Sequence, residues 1–228
     1  MRSGKLATVS GVKRRDFGQY CGLARALELV GERWALLIVR NLIVRPRRYT
    51  ELQTGLAGIP TNVLATRLKE LEQSGIVERQ VAPAPGRGVV YALTPVGQSL
   101  EPVLLALARW GAPQLGEPQR GDVVTPEGLV LNLRAVFQAE QAAGLTASWE
   151  IHVRDVVVHA VITDGSLVTG LGPAPVEPDL TIITTFTDDE LASYRAIITQ
   201  ARDGALELRG RRELLATFLR VFTVPKKA

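Results

Sequence analysis

The sequence predicts an α+β chain in two halves: a mainly helical N-terminal half closed by a β-hairpin, and a C-terminal half whose strands form one block between helices. Three observations carry this. Apolar residues between Leu23 and Leu71 recur at three and four positions, and from Ile76 to Leu93 the period changes to two. Residues 111 to 126 are so rich in Gly, Pro and charge that they read as a linker. The boundaries that follow are 1–115, a linker at 116–126, and 127–228; a chain of 228 residues can bury two such cores.

Leu23, Leu27 and Val30 share a helical face that Gly31 ends. Residues 32 to 44 follow, and their run Trp34-Ala35-Leu36-Leu37-Ile38-Val39 is apolar all round, which assigns this helix to the centre of a small domain. Arg45-Pro46-Arg47-Arg48 breaks it. Residues 49 to 56 form a short helix, Ala57-Gly58-Ile59-Pro60 a turn, and residues 61 to 74 a longer helix. At about 100° per residue, Leu64, Leu68 and Leu71 fall on one arc and Asn62, Thr66 and Lys69 on the opposite one. A helix, a Gly-containing turn and a second helix with a polar outer stripe is the arrangement that fits a major groove.

Residues 76 to 81 and 89 to 93 alternate as strands, joined by Pro83-Ala84-Pro85-Gly86-Arg87-Gly88. That hairpin is a wing with Arg87 near its tip, where a cation reaches a minor groove. The N-terminal half is therefore predicted to be a winged helix-turn-helix. Thr94 and Pro95 then open a helix in which Val96, Leu100, Val103, Leu104, Leu107 and Trp110 share one side, a face wide enough to call for a partner.

In the C-terminal half the pattern predicts a helix over 127–144, two or three strands over 148–169 punctuated by Arg154-Asp155 and Asp164-Gly165, and a strand over 179–186. Thr187-Asp188-Asp189-Glu190 is a capping box opening a helix to about Ala201. A short strand over 203–209 and a closing helix over 211–222 complete an α+β domain.

Charge separates the halves. Residues 1–120 carry 17 Lys and Arg against 9 Asp and Glu, and residues 121–228 carry 10 against 14. A basic half joined to an acidic one predicts that the first meets a polyanion, because phosphate neutralisation by Lys and Arg drives nucleic-acid affinity. One cysteine, Cys21, excludes an internal disulfide framework, and two histidines are too few for a zinc site, so no metal or cofactor is expected. His152 and His159 lie on strand patterns without a nucleophile or carboxylate at a catalytic spacing, and Gly170-Leu171-Gly172-Pro173 opens no helix to cradle a phosphate. The expectation is a binding protein and not an enzyme. No secretory or membrane-spanning pattern is present, so a cytoplasmic place is expected.

Residues 21 to 110 resemble the HxlR family of winged-helix transcriptional regulators, relatives of the MarR group. The segments that carry the resemblance are Cys21-Gly22-Leu23-Ala24-Arg25-Ala26-Leu27, Val30-Gly31-Glu32-Arg33-Trp34, Arg48-Tyr49-Thr50-Glu51-Leu52, Gly58-Ile59-Pro60-Thr61-Asn62-Val63-Leu64, Arg67-Leu68-Lys69-Glu70-Leu71, Gly75-Ile76-Val77-Glu78-Arg79 and Tyr91-Ala92-Leu93-Thr94. Gly22 and Tyr49 stand where the family usually has Pro and Phe. The resemblance implies a sequence-specific DNA-binding homodimer, with the helix over 95–110 and the segment around Cys21 at the dimer interface. Residues 127–222 resemble the sterol-carrier-protein type 2 domain through Pro178-Asp179-Leu180-Thr181-Ile182, the Asp164-Gly165 turn, and Gly204-Ala205-Leu206-Glu207-Leu208-Arg209-Gly210 before a helix ending Leu219-Arg220-Val221-Phe222. That likeness implies a non-catalytic domain around an apolar cavity.

The candidate DNA contacts are Arg48, Thr61, Asn62, Thr66, Arg67, Lys69 and Arg87, although Arg67, nearer the packed edge, has carboxylate pairing as an equal alternative. Leu100, Leu104, Leu107 and Trp110 are the candidate dimer contacts. Cys21 is a candidate redox sensor if Lys13, Arg14 and Arg15 stabilise its thiolate, against the reading of a small buried hydrophobe. Val157, Val161, Ile182, Leu206 and Leu219 are the candidate lining of a cavity for a small apolar ligand. A C-terminal domain with a filled core, serving dimerisation or protein docking, is the alternative.

Overall fold

The computed structural model describes residues 16–82, 87–115, 123–184, 200–201 and 203–223. The predicted wing tip at 83–86, the middle of the predicted linker, the basic residues up to Arg15 and nearly all of the helix predicted from Thr187 lie outside the described residues.

The N-terminal half folds as α1 (Gly22–Val30), α2 (Ala35–Val44), α3 (Tyr49–Gly55), α4 (Thr61–Gln73), a hairpin of β1 (Val77–Val81) and β2 (Val89–Leu93), then α5 (Pro95–Gln98) and α6 (Glu101–Gly111). The apolar run puts α2 at the centre, with Ile38 and Val39 fully buried among Leu52, Leu64, Leu68 and Leu71. The single helix predicted over 95–110 is broken in two. Pro102 has no N–H for the carbonyl of Gln98, so the chain tightens, Leu100 N donates to Gly97 O at 3.1 Å, and helix resumes at Glu101. Leu104, 5 % exposed, belongs to the domain's own core and Leu100 packs at its edge, whereas Leu107 at 47 % and Trp110 at 70 % point outward with Val103. The expectation that Leu100 and Leu104 offer themselves to a partner is corrected: the outward face of α6 is Val103, Leu107 and Trp110.

The C-terminal half contains α7 (Pro126–Val136), strands β3 (Ala147–Val153), β4 (Val156–Thr163), β5 (Ser166–Leu171), β6 (Leu180–Ile183) and β7 (Glu207–Gly210), and α8 (Leu214–Val221). The sheet order is β5-β4-β3-β6-β7, antiparallel except for the parallel β3/β6 pair. Asp164 and Gly165 both take positive φ, 47° and 79°, which is the twist a two-residue hairpin loop requires. Thr125 and Pro126 open α7, the threonine side chain accepting from Gly128 N at 3.1 Å. The helix stops at Val136 and not near 144 because tertiary partners claim the chain: Phe137 bridges Phe222, their rings 5.7 Å apart, and Gln138 N donates to Val221 O at 2.8 Å.

One face of this sheet is a buried apolar core. Trp149, Ile151, Val158, Ala160, Ile162, Leu180 and Ile182 face α7 and α8, and Phe218 and Phe222 close over Trp149 at centroid distances of 6.0 and 6.1 Å. The expected cavity lining is corrected here. Ile182 lies in this core and Leu206 and Leu219 at its margin, but side chains alternate along β4, so Val157 and Val161 are on the opposite face from Val158, Ala160 and Ile162. The five do not line one void.

The two cores meet along α7. Leu131 is part of the N-terminal core, Arg134 joins Glu101 of α6 to Thr169 of β5 at 2.7 Å each, and Arg109 Nε donates to Ala135 O at 2.9 Å. Among the described residues no helix is long and apolar enough to cross a membrane.

Candidate nucleic-acid interface

The turn between α3 and α4 is tied down before any side chain is presented. Leu56 and Ile59 anchor it in the core and Gly58 takes φ +81°. Gln53 Nε2 donates to Ile59 O at 2.9 Å and the Tyr49 hydroxyl donates to Thr61 O at 2.8 Å, so α3 grips the first turn of α4. At the start of α3, Glu51 accepts from Arg48 N at 2.7 Å and from Arg45 Nη2 at 2.5 Å. Burial resists ionisation of Glu51, but the Arg48 amide and the guanidiniums of Arg45 and Arg47 prevail and hold its carboxyl below the usual range.

On α4, Leu64, Leu68 and Leu71 are buried, whereas Thr61, Asn62, Thr66 and Lys69 are exposed. Thr66 donates its hydroxyl back to Asn62 O at 2.8 Å and remains exposed. Arg67 is not part of this stripe. Its guanidinium pairs with Glu70 and, at 3.1 Å, with Glu32 in the segment before α2, so the carboxylate alternative holds and the residue clamps α4 to the domain.

The wing stands beside α4. Arg79 on β1 grips Glu72 through two bonds, 2.8 and 3.1 Å, with its guanidinium 5.5 Å from the centre of the Tyr91 ring on β2. Arg87 is exposed at the described end of the hairpin. Arg48 is exposed too, and a Cβ at neighbouring Gly88 would stand 3.2 Å from its Nη1, so Arg48 and the end of the wing lie together. Arg47 bonds the middle of β2 through its backbone, donating to Tyr91 O at 2.9 Å and accepting from Tyr91 N at 2.7 Å. Arg47 and Arg79 are not singled out from sequence, where Arg48 alone of the 45–48 run is a candidate contact.

Cys21 is exposed immediately before α1, which corrects the buried reading. The backbone amides of Ala24 and then Leu23 draw its thiol pKa below the ordinary value.

The N-terminal half is similar in sequence to known helix-turn-helix regulators. Residues 29–119 match the family described as HxlR-like helix-turn-helix. The HTH-type transcriptional regulator YodB of Bacillus subtilis is 43% identical over 102 residues, covering 45% of this chain and 88% of YodB. The uncharacterized HTH-type regulator YkvN of the same organism is 34% identical over 112 residues, covering 48% of this chain and 95% of YkvN. Among solved structures, the quinone-bound form of B. subtilis YodB is 39% identical with a TM-score of 0.35, covering 41% of this chain and 97% of that one. The redox regulator HypR in its reduced form is 31% identical with a TM-score of 0.37, covering 40% and 90%. A winged helix-turn-helix whose two helices and wing are locked around an exposed polar stripe, matched across most of a curated regulator's length, places the chain in the HxlR-like helix-turn-helix family of DNA-binding transcriptional regulators.

Proposed function

We propose that the protein binds a pseudo-palindromic operator as a homodimer, by binding alone and without chemistry. The observation that carries this reading is the α4 stripe, Thr61, Asn62, Thr66 and Lys69, exposed on a helix whose other side is fully buried, with Arg48 at the start of α3 and Arg87 at the described end of the wing also exposed. Asn62 and Thr66 offer an amide and a methyl suited to base edges, and the cations offer phosphate contacts. The outward Leu107 and Trp110 of α6 support a second copy as partner. Half-sites would then lie about one helical turn, or a multiple of it, apart.

The test is a set of alanine variants assayed on an operator enriched by the wild-type protein from random duplexes. Asn62→Ala or Thr66→Ala should cost about 1–3 kcal/mol on that operator and little on random DNA. Lys69→Ala and Arg87→Ala should weaken both and flatten the salt dependence. Equal losses on both duplexes for Asn62→Ala would reduce the stripe to a positioning surface.

The exposure of Cys21 favours a second layer, control by oxidation or alkylation of its thiol. Treatment with a quinone should then change operator affinity of the wild type and leave Cys21→Ser untouched; an equal response in both would dismiss it. For the C-terminal domain, the placement of Val157 and Val161 on the opposite sheet face from Ile182 favours a docking or structural role over an apolar ligand held by the five residues first considered.

A further inference from the structure

The geometry points to Glu127 as the residue through which the C-terminal domain positions the DNA-binding surface, an inference that rests on the DNA-binding reading above. Glu127 stands in the first turn of α7, where the Thr125 cap and Pro126 fix the backbone and the helix N-terminus favours a carboxylate. It is 3 % exposed and pairs with Arg47, itself 8 % exposed, eighty residues earlier in the chain. The carboxylate reaches into the N-terminal domain at the end of α3: a Cβ at Gly55 would stand 3.9 Å from Glu127 Oε2 and 3.0 Å from Nδ2 of the buried Asn41.

What Arg47 holds makes the pair more than a staple. Its backbone is bonded in both directions to Tyr91 in the middle of wing strand β2, and the next residue, Arg48, caps α3 and lies against Gly88. One arginine thus joins the wing, the start of the helix-turn-helix and the C-terminal domain. The family match ends at residue 119, so the counter-charge for this buried arginine comes from outside the matched module. Its other carboxylate is Glu51, 3.8 Å away and already engaged by Arg45 and the Arg48 amide. Any shift of α7 leaves Arg47 to compete for Glu51, which disturbs the α3 cap and Arg48 together.

Net stability is a poor explanation for such a pair. A buried ion pair seldom outperforms apolar side chains of the same volume, and here Arg47 Nε and Glu127 Oε2 have no hydrogen-bond partner among the described residues. Burial also draws the Arg47 guanidinium below its ordinary pKa, against the pull of Glu127. What the pair supplies is orientation.

The experiment uses the full chain, an operator enriched by the wild type from random duplexes, and a random duplex of equal length. Glu127→Gln keeps the shape and removes the charge; it should weaken operator binding about tenfold, within the usual range of intersite coupling, and change random-duplex binding less than about twofold. The double variant Arg47→Met with Glu127→Met should melt close to the wild type yet keep the operator defect. Operator affinity within about twofold of wild type in folded Glu127→Gln, or full recovery of affinity in the double variant, would overturn the positioning role. If Glu127→Gln fails to fold, the double variant alone decides. A wild type that enriches no sequence defeats the DNA-binding reading itself, a result distinct from either outcome.

Discussion

In the proposed homodimer, Leu107→Asp is expected to give folded monomers that lose specific DNA binding. Leu107 and Trp110 stand one turn apart on α6, pointing away from their own core, and Val103 extends the same stripe by a turn. A two-fold axis would bury such a stripe against itself, so one substitution puts two aspartates into an apolar contact, where burying a charge is costly. Losing simultaneous engagement of two half-sites should lower operator affinity by roughly a hundredfold or more, while binding to random duplexes falls much less. Sedimentation and operator titration together read the result. A variant that remains dimeric and fully specific would move the interface away from α6. The neighbouring Leu104→Asp makes the contrast: that side chain is buried in the domain's own core, so its replacement should unfold the N-terminal half and not yield a monomer.

Trp149→Ala is expected to remove about 3–5 kcal/mol from the C-terminal domain, a large part of what a domain of this size has. The indole is fully buried, edge-on to Phe222 and tilted against Phe218, and its Nε1 donates to Leu214 O at 3.4 Å. Truncation leaves a void that α8 cannot fill without breaking the Phe218 and Phe222 contacts. Urea unfolding should show the loss in the midpoint with little change in slope. A loss below about 1 kcal/mol would mean that this face collapses freely and is not a packed core, which would return weight to a ligand cavity. Because α7 packs against this sheet and carries Glu127, the loosened variant should also bind its operator more weakly than the wild type.

Much of the N-terminal half was legible because its signals are local. The all-round apolar run of α2, the Leu64-Leu68-Leu71 arc of α4 and the change of period at β1 each depend on spacing within about a dozen residues, and the family resemblance rests on the same stretches. The Asp164-Gly165 hairpin was legible for the same reason: two residues tolerant of positive φ between alternating strands leave few alternatives. The break before α6 was written in the sequence as Pro102 and was missed only because the apolar stripe runs across it.

The helix-turn-helix, the wing, the outward polar stripe and the charge contrast between the halves are thus readable from the chain alone, since each follows from a short-range period or from composition. Packing sets which side of α6 is core, that Val157 and Val161 turn away from Ile182, that α7 stops at Val136, and that Glu127 meets Arg47. Periodicity says that a helix or strand has an apolar face but not which neighbour covers it. The partner of a buried charge eighty residues away is set by how two domains pack, a relation that no local window contains.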